Sequence, residues 1–151
     1  MKIHLKTAVK NDFETVFNGF NNDLLLKLTP PGMKVTFIQV DPEIKPGAVV
    51  HLEARVLWVI KQEFYNVIVE REENEEEKWF VDVGKKLPGL FRSWNHKHLV
   101  RKTGENSCEI VDDIDYRTPF KLLDYLMYPF MWAQFAYRRP VYRKVFNLPG
   151  K

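Results

Sequence analysis

The chain has 151 residues, 45% of them hydrophobic and 14% aromatic, with a formal net charge of +3. This length fits one domain, with a core or a core and a cavity, and the composition excludes a disordered chain. The mild positive charge permits weak attraction to phosphates or anionic lipid and demands neither. A single cysteine, Cys108, excludes an intramolecular disulfide and suits a reducing compartment. The first residues alternate like a strand without an apolar signal core, and no apolar run approaches the length of a membrane span. A cytoplasmic protein is expected.

Residues 2–9 set Ile3, Leu5, Thr7 and Val9 against Lys2, His4 and Lys6, the alternation of a first strand. Asn11 to Glu14 reads as a capping-box start to a short helix, with Phe13, Val16, Phe17 and Phe20 at helical spacing. A second short helix spans 23–28 and stops at Thr29-Pro-Pro-Gly32. Strands follow over 34–40, 49–60, 64–71, 79–83, 92–101 and 107–117. Leu52, Ala54, Val56 and Trp58 look inward on the second of these, and the acidic run 72–77 reads as a solvated hairpin tip. The last hairpin turns near Gly104. The chain then closes on one long helix, with Thr118 as its cap and Pro119 in its first turn. Phe120, Leu123, Met127, Phe130, Gln134, Tyr137, Val141 and Val145 form its apolar stripe, and Pro129 and Pro140 should bend it or end it early. Short-looped consecutive strands make an antiparallel sheet, and the long helix has one place to bury its stripe, against that sheet. The expected class is α+β: a curved seven-stranded antiparallel sheet, two short helices after the first strand, and a long C-terminal helix across it.

The run from Phe91 to His98 carries the most functional information. As a strand it turns Trp94, His96, His98 and Val100 to one face and Ser93, Asn95 and Lys97 to the other. Two imidazoles on an inward face imply a polar partner, a wet cavity or a ligand, because unpartnered buried polar groups cost free energy. A turn at Gly104 places His96 opposite Asp112, His98 opposite Ile110 and Trp94 opposite Ile114.

Three motifs follow one another in this region. Gly89-Leu-Phe91-Arg-Ser-Trp94-Asn-His96-Lys-His98 resembles a G-P-F-x-x-W-x-H-x-H signature found in a bacterial branch of the START/SRPBCC superfamily. Asp112, Tyr116 and Pro119 resemble its D-x-x-x-Y-x-x-P, and Phe135-Ala-Tyr137-Arg138 its F-x-Y-R. Leu90 stands where that branch has proline, which loosens the loop. The resemblance covers nearly the whole chain and implies the helix-grip fold of the birch-pollen-type allergens. It also implies binding of hydrophobic or amphipathic small molecules, with cyclases and dehydratases among the members.

Two readings attach to His96 and Asp112. As candidates for catalysis, Asp112 would orient His96 for acid–base work. As structure, Asp112 would satisfy a buried imidazole. Cys108 is the one candidate nucleophile on that face. His96, His98 and Asp112 can also be considered as zinc ligands, but no fourth ligand is evident, and neither a metal nor a cofactor is expected. Trp58, Trp79, Trp94, His96, His98, Asp112, Tyr116, Met127, Phe130, Gln134 and Tyr137 are the expected ligand-binding set. Its partner would be a lipid-, sterol- or polyketide-like molecule. The basic cluster Arg138, Arg139, Arg143 and Lys144 fits a helix C-terminus, and also a weak contact with an anionic membrane. A nucleic-acid partner is not expected.

Overall fold

The computed structural model describes residues 1–57 and 59–147. Its elements run β1 (Lys2–Val9), α1 (Phe13–Asn18), α2 (Asn22–Lys27), β2 (Met33–Val40), β3 (Val49–Val56), β4 (Ile60–Glu73), β5 (Glu77–Lys86), β6 (Ser93–Gly104), β7 (Ser107–Arg117), α3 (Lys121–Ala136) and α4 (Arg138–Phe146). The seven strands form one antiparallel sheet in the order β1-β7-β6-β5-β4-β3-β2. Bulges interrupt the β2–β3, β4–β5 and β6–β7 ladders, and each bends and twists its strand. The helix-grip expectation holds.

Several local expectations are corrected. The N-cap of α1 is Asp12, whose carboxylate accepts from the Thr15 N–H at 2.9 Å, so no box closes on Asn11. Asn11 instead donates to the Phe146 carbonyl at 3.0 Å and ties the start of α1 to the end of α4. The strand expected over 49–60 ends at Val56, because Leu57 adopts a φ of 50° and turns the chain into β4. Trp58 lies outside the described residues. Thr118 does not cap α3. Its N–H is accepted by Asp124 at 2.7 Å, and its hydroxyl donates to the Phe120 carbonyl at 2.9 Å.

The long C-terminal helix is broken once, into α3 and α4, as its second proline leads one to expect. Pro140 clashes with the carbonyl of the residue four before it, which is Ala136, and α3 ends there. Within α4 the same proline sits in the first turn, where its missing N–H leaves no bond unmade. Pro129 is carried inside α3. The buried face also differs. Met131, Phe135, Tyr142 and Phe146 point to the sheet, while Phe120 and Phe130 are each 72% exposed. Residues 121–136 are apolar nearly all round, so spacing alone does not choose among neighbouring stripes.

Two apolar clusters hold the layers together. One gathers α1, α2 and α4 over β1, β6 and β7 around Val9, Phe17, Val100, Cys108, Ile110 and Tyr142. The other packs Met131 and Phe135 of α3 on Ile3, Leu5, Ile114 and Tyr116. Both sit mainly on the β1–β7–β6 half of the sheet. The helices leave the β2–β5 half of the concave face less filled, and a cavity lies there.

Among the described residues, no helix is long and apolar enough to cross a membrane.

Candidate functional site

The cavity has a volume of about 760 Å³. Val35, Val50, Leu52, Ala54, Phe64 and Ile68 form its sheet wall, Leu24 of α2 and Leu28 at its C-cap close one side, and Met127, Met131 and Phe135 of α3 another. Asn66, Asp82, His96, His98, Gln134 and Arg138 line it on the β5, β6 and α3–α4 side, while Asn21, Asn22, Asp23, Thr29, Asp41, Glu43 and Gln62 are polar lining residues elsewhere.

Strand pairing builds the first of these two sets. Asp82 on β5 faces His96 on β6 directly, and His98 lies two residues on, on the same face. Across the other ladder His98 faces Asp112 and His96 faces Ile114, two residues away from the expected register. The difference arises at the hairpin tip. Gly104 pairs with Ser107 around Glu105 and Asn106, and an irregularity follows Lys102. A shift of two preserves the face, so His96 still reaches Asp112 diagonally, Nε2 to Oδ1, at 2.9 Å.

The result is a connected buried network. Asp82 Oδ1 accepts from Asn66 at 2.7 Å and from the Trp94 indole at 3.3 Å. Asp82 Oδ2 accepts from His98 Nε2 at 2.8 Å and lies 3.8 Å from His96 Nδ1. Asp112 accepts from the Tyr142 hydroxyl at 3.4 Å and has the Arg138 guanidinium at 3.5 Å. Both imidazoles are close, with ring centroids 3.7 Å apart, and His98 stacks on Phe80 at 4.4 Å. Burial by itself would raise the Asp112 carboxyl, but the His96 hydrogen bond and the Arg138 charge outweigh it and hold Asp112 at about 2. Burial, reinforced by His98, pushes His96 down to about 4 against the pull of the two carboxylates. Asp82 is also held below the usual range, because hydrogen bonding and charge from His98 overcome its burial. At neutral pH the site therefore holds two carboxylates, one guanidinium and a neutral His96. Four buried polar atoms have no partner among the described residues: Asn66 Oδ1, His98 Nδ1, Arg138 Nε and Arg139 Nε.

The expected ligand-binding residues separate into groups. Trp94, His96, His98, Met127, Phe130 and Gln134 border the cavity. Asp112 stands behind His96, buried against Arg138 and Tyr142. Tyr116 is buried in the cluster under α3, its hydroxyl donating to the Asp124 carbonyl at 3.0 Å. Tyr137 occupies the break between α3 and α4 and does not line the cavity. Trp79 is a correction: β5 turns Phe80 and Asp82 inward, so Trp79 faces out, with the Lys97 ammonium 3.8 Å above its ring. Cys108 is fully buried beneath α1, and burial pushes its thiol up to about 11, so it is no nucleophile for the cavity. Arg138, grouped from sequence with a surface basic cluster, is turned inward to Asp112 and the Phe135 ring.

Sequence reasoning missed Asn66 and Asp82. Their signal was present: each is a lone polar residue in an apolar strand segment, on the same face as Phe64 and Ile68 or as Phe80.

No family model and no curated protein matches the sequence. Solved structures match its fold. A structural-genomics protein from Chromobacterium violaceum superposes with a TM-score of 0.72 at 12% identity, over 99% of this chain and 99% of that one. Norcoclaurine synthase from Thalictrum flavum, a point mutant in complex with a transition-state analogue, gives 0.65 at 16% identity over 96% and 92%. A START superfamily protein from Mycobacterium smegmatis gives 0.64 at 12% identity over 89% and 91%. Element order, sheet topology and these superpositions agree: this chain has a START/SRPBCC-like helix-grip fold.

Proposed function

We propose that this domain binds an amphipathic small molecule of lipid, sterol or polyketide type between the sheet and α3. The observation that carries the reading is a cavity of about 760 Å³ with a mainly apolar lining that also borders the buried Asp82–His96–His98 network. That volume lies within the ordinary range for small-molecule sites, roughly 300–1,000 Å³. Asn66, His98 and Arg138 each border the cavity and each has a buried polar atom without a partner. Leaving such an atom unsatisfied costs about 1–3 kcal/mol, so a small side-chain shift that brings it to a ligand polar group gains what the empty site lacks. The apolar body of the ligand would lie along Leu52, Phe64 and Met131. Norcoclaurine synthase, a structural neighbour, has been solved with dopamine and hydroxybenzaldehyde, and this supports small-molecule binding as one use of the fold. A fluorescent apolar probe is expected to bind saturably, with micromolar or tighter affinity, and to be displaced by acyl or polycyclic compounds. Absence of saturable binding overturns the reading.

A second reading is catalysis of the cyclase or dehydratase type. It is favoured by His96, which borders the cavity while Asp112 accepts from its far nitrogen at 2.9 Å. A carboxylate so placed fixes an imidazole tautomer and supports its charged form. The Asp112→Asn variant separates the readings. In a binder it costs about 2 kcal/mol of stability, the loss of one charge-assisted hydrogen bond, and changes affinity little. In an acid–base enzyme it slows turnover by about a hundredfold while leaving substrate affinity nearly intact.

A further inference from the structure

We propose that Asp82, His96 and His98 form a binding site for one divalent transition-metal ion of the zinc type, on the cavity wall. One donor atom from each residue lies within 4.8 Å of the other two. The grouping is built by the β5–β6 ladder, in which Asp82 directly opposes His96 and His98 shares their face. Asp112, the carboxylate considered from the sequence for such a set, instead stands behind His96.

The hydrogen bonds already assign which atoms face the ion. Asp82 Oδ1 is occupied by Asn66 and Trp94, which leaves Oδ2 directed at the two imidazoles. His96 Nε2 is 2.9 Å from the Asp112 carboxylate, so that nitrogen carries the hydrogen and Nδ1 presents its lone pair. A histidine whose outer nitrogen donates to a carboxylate is the usual support for a metal-bound imidazole. Here the carboxylate is itself anchored by Arg138 and Tyr142. His98 offers Nε2, whose hydrogen now goes to Asp82 Oδ2; with an ion bound, the imidazole would carry its hydrogen on Nδ1, which has no partner, and Nε2 would present its lone pair.

Distance separates a metal from a proton. His96 Nδ1 and Asp82 Oδ2 are 3.8 Å apart, too far for a hydrogen bond, yet both present lone pairs to the same space. Two zinc–ligand bonds of about 2.1 Å at the tetrahedral angle set their donor atoms about 3.4 Å apart, so that gap would close by about 0.4 Å around one ion. The His98–Asp82 contact of 2.8 Å would open by about half an ångström to the separation of neighbouring ligands around a tetrahedral ion. Two imidazoles and one carboxylate suit zinc, and with three protein ligands the remaining position opens on the cavity that all three residues border. The site does not depend on what else occupies the cavity.

The test uses the full chain, dialysed against a chelator and titrated with Co²⁺ alone. Expected are one ion per chain, the visible d–d bands of a tetrahedral site, and displacement by Zn²⁺. His98→Ala and Asp82→Asn should each weaken binding at least tenfold. Asp112→Asn should weaken it about tenfold through His96, and His51→Ala should change nothing. Should the first two variants fail to fold, the wild-type protein decides: Zn²⁺ should shift the imidazole ¹⁵N signals of His96 and His98 and leave those of His4 and His51 in place. No binding of Co²⁺ or Zn²⁺ at millimolar metal, unchanged affinity in folded His98→Ala or Asp82→Asn, or imidazole shifts confined to His4 and His51 overturns the proposal.

Discussion

Replacing Arg138 by methionine is expected to lower the free energy of unfolding by about 3 kcal/mol, the loss typical of removing one member of a buried ion pair. Arg138 and Asp112 are both nearly sequestered from solvent, and the guanidinium approaches Asp112 Oδ1 at 3.5 Å. Methionine keeps most of the apolar stem that lies along Phe135, so the change isolates the charge more than the packing. Asp112 would keep only His96 and Tyr142 as donors, and a buried carboxylate without a cation is poorly solvated by either. Adding Asp112→Asn to Arg138→Met should restore part of the loss, because the uncompensated charge is gone. A double-mutant cycle in urea measures that coupling. Arg143 is exposed on the same helix, and Arg143→Met should stay within about 0.5 kcal/mol of the parent. Equal midpoints for Arg138→Met and Arg143→Met would show that Arg138 is a surface cation after all.

That ion pair also shows where sequence reasoning stops. Arg138 sits among Arg139, Arg143 and Lys144, and nothing local marks it as the inward member. Its role is set by the break at Tyr137, which in turn follows from Pro140 acting on the end of α3. The proline was legible, but its consequence for the helical face was not. The strands were easier. Period-two alternation fixes which residues share a face, and it survives a register error of two, which is why His96 and Asp112 meet although His98 is the residue opposite Asp112. The turn between β3 and β4 was hidden for another reason. Leu57 and Val59 are apolar and carry none of the usual turn chemistry, so the residues between Val49 and Ile60 read as continuous strand. Asn66 and Asp82 were legible as lone polar residues in apolar strand segments, but the sequence did not show that they meet. Tertiary pairing, not local pattern, makes them neighbours of the histidines.

Leu52→Asp is expected to weaken binding of an apolar probe by about a hundredfold or more. Leu52 lies on β3, directly opposite Phe64 of β4, and both side chains form the sheet wall of the cavity away from the histidines. In the empty protein the new carboxylate can be hydrated, because Leu52 is only half-buried and the cavity has room for water. The fold should therefore tolerate it, with a modest loss of urea stability. A ligand lying on that wall would strip the water from an unpaired charge, which costs several kcal/mol with no partner nearby to offset it. Leu52→Met changes shape at nearly constant volume and should stay within a fewfold of the parent affinity. The pair of variants thus distinguishes a charge effect from a general disturbance of β3. The measurement also locates the ligand. If Leu52→Asp binds the probe as tightly as the parent, the apolar body does not lie against β3 and β4, and the site must be sought on the α3 side, near Met127 and Met131. If affinity collapses with the fold intact, the less filled half of the sheet is where the ligand rests.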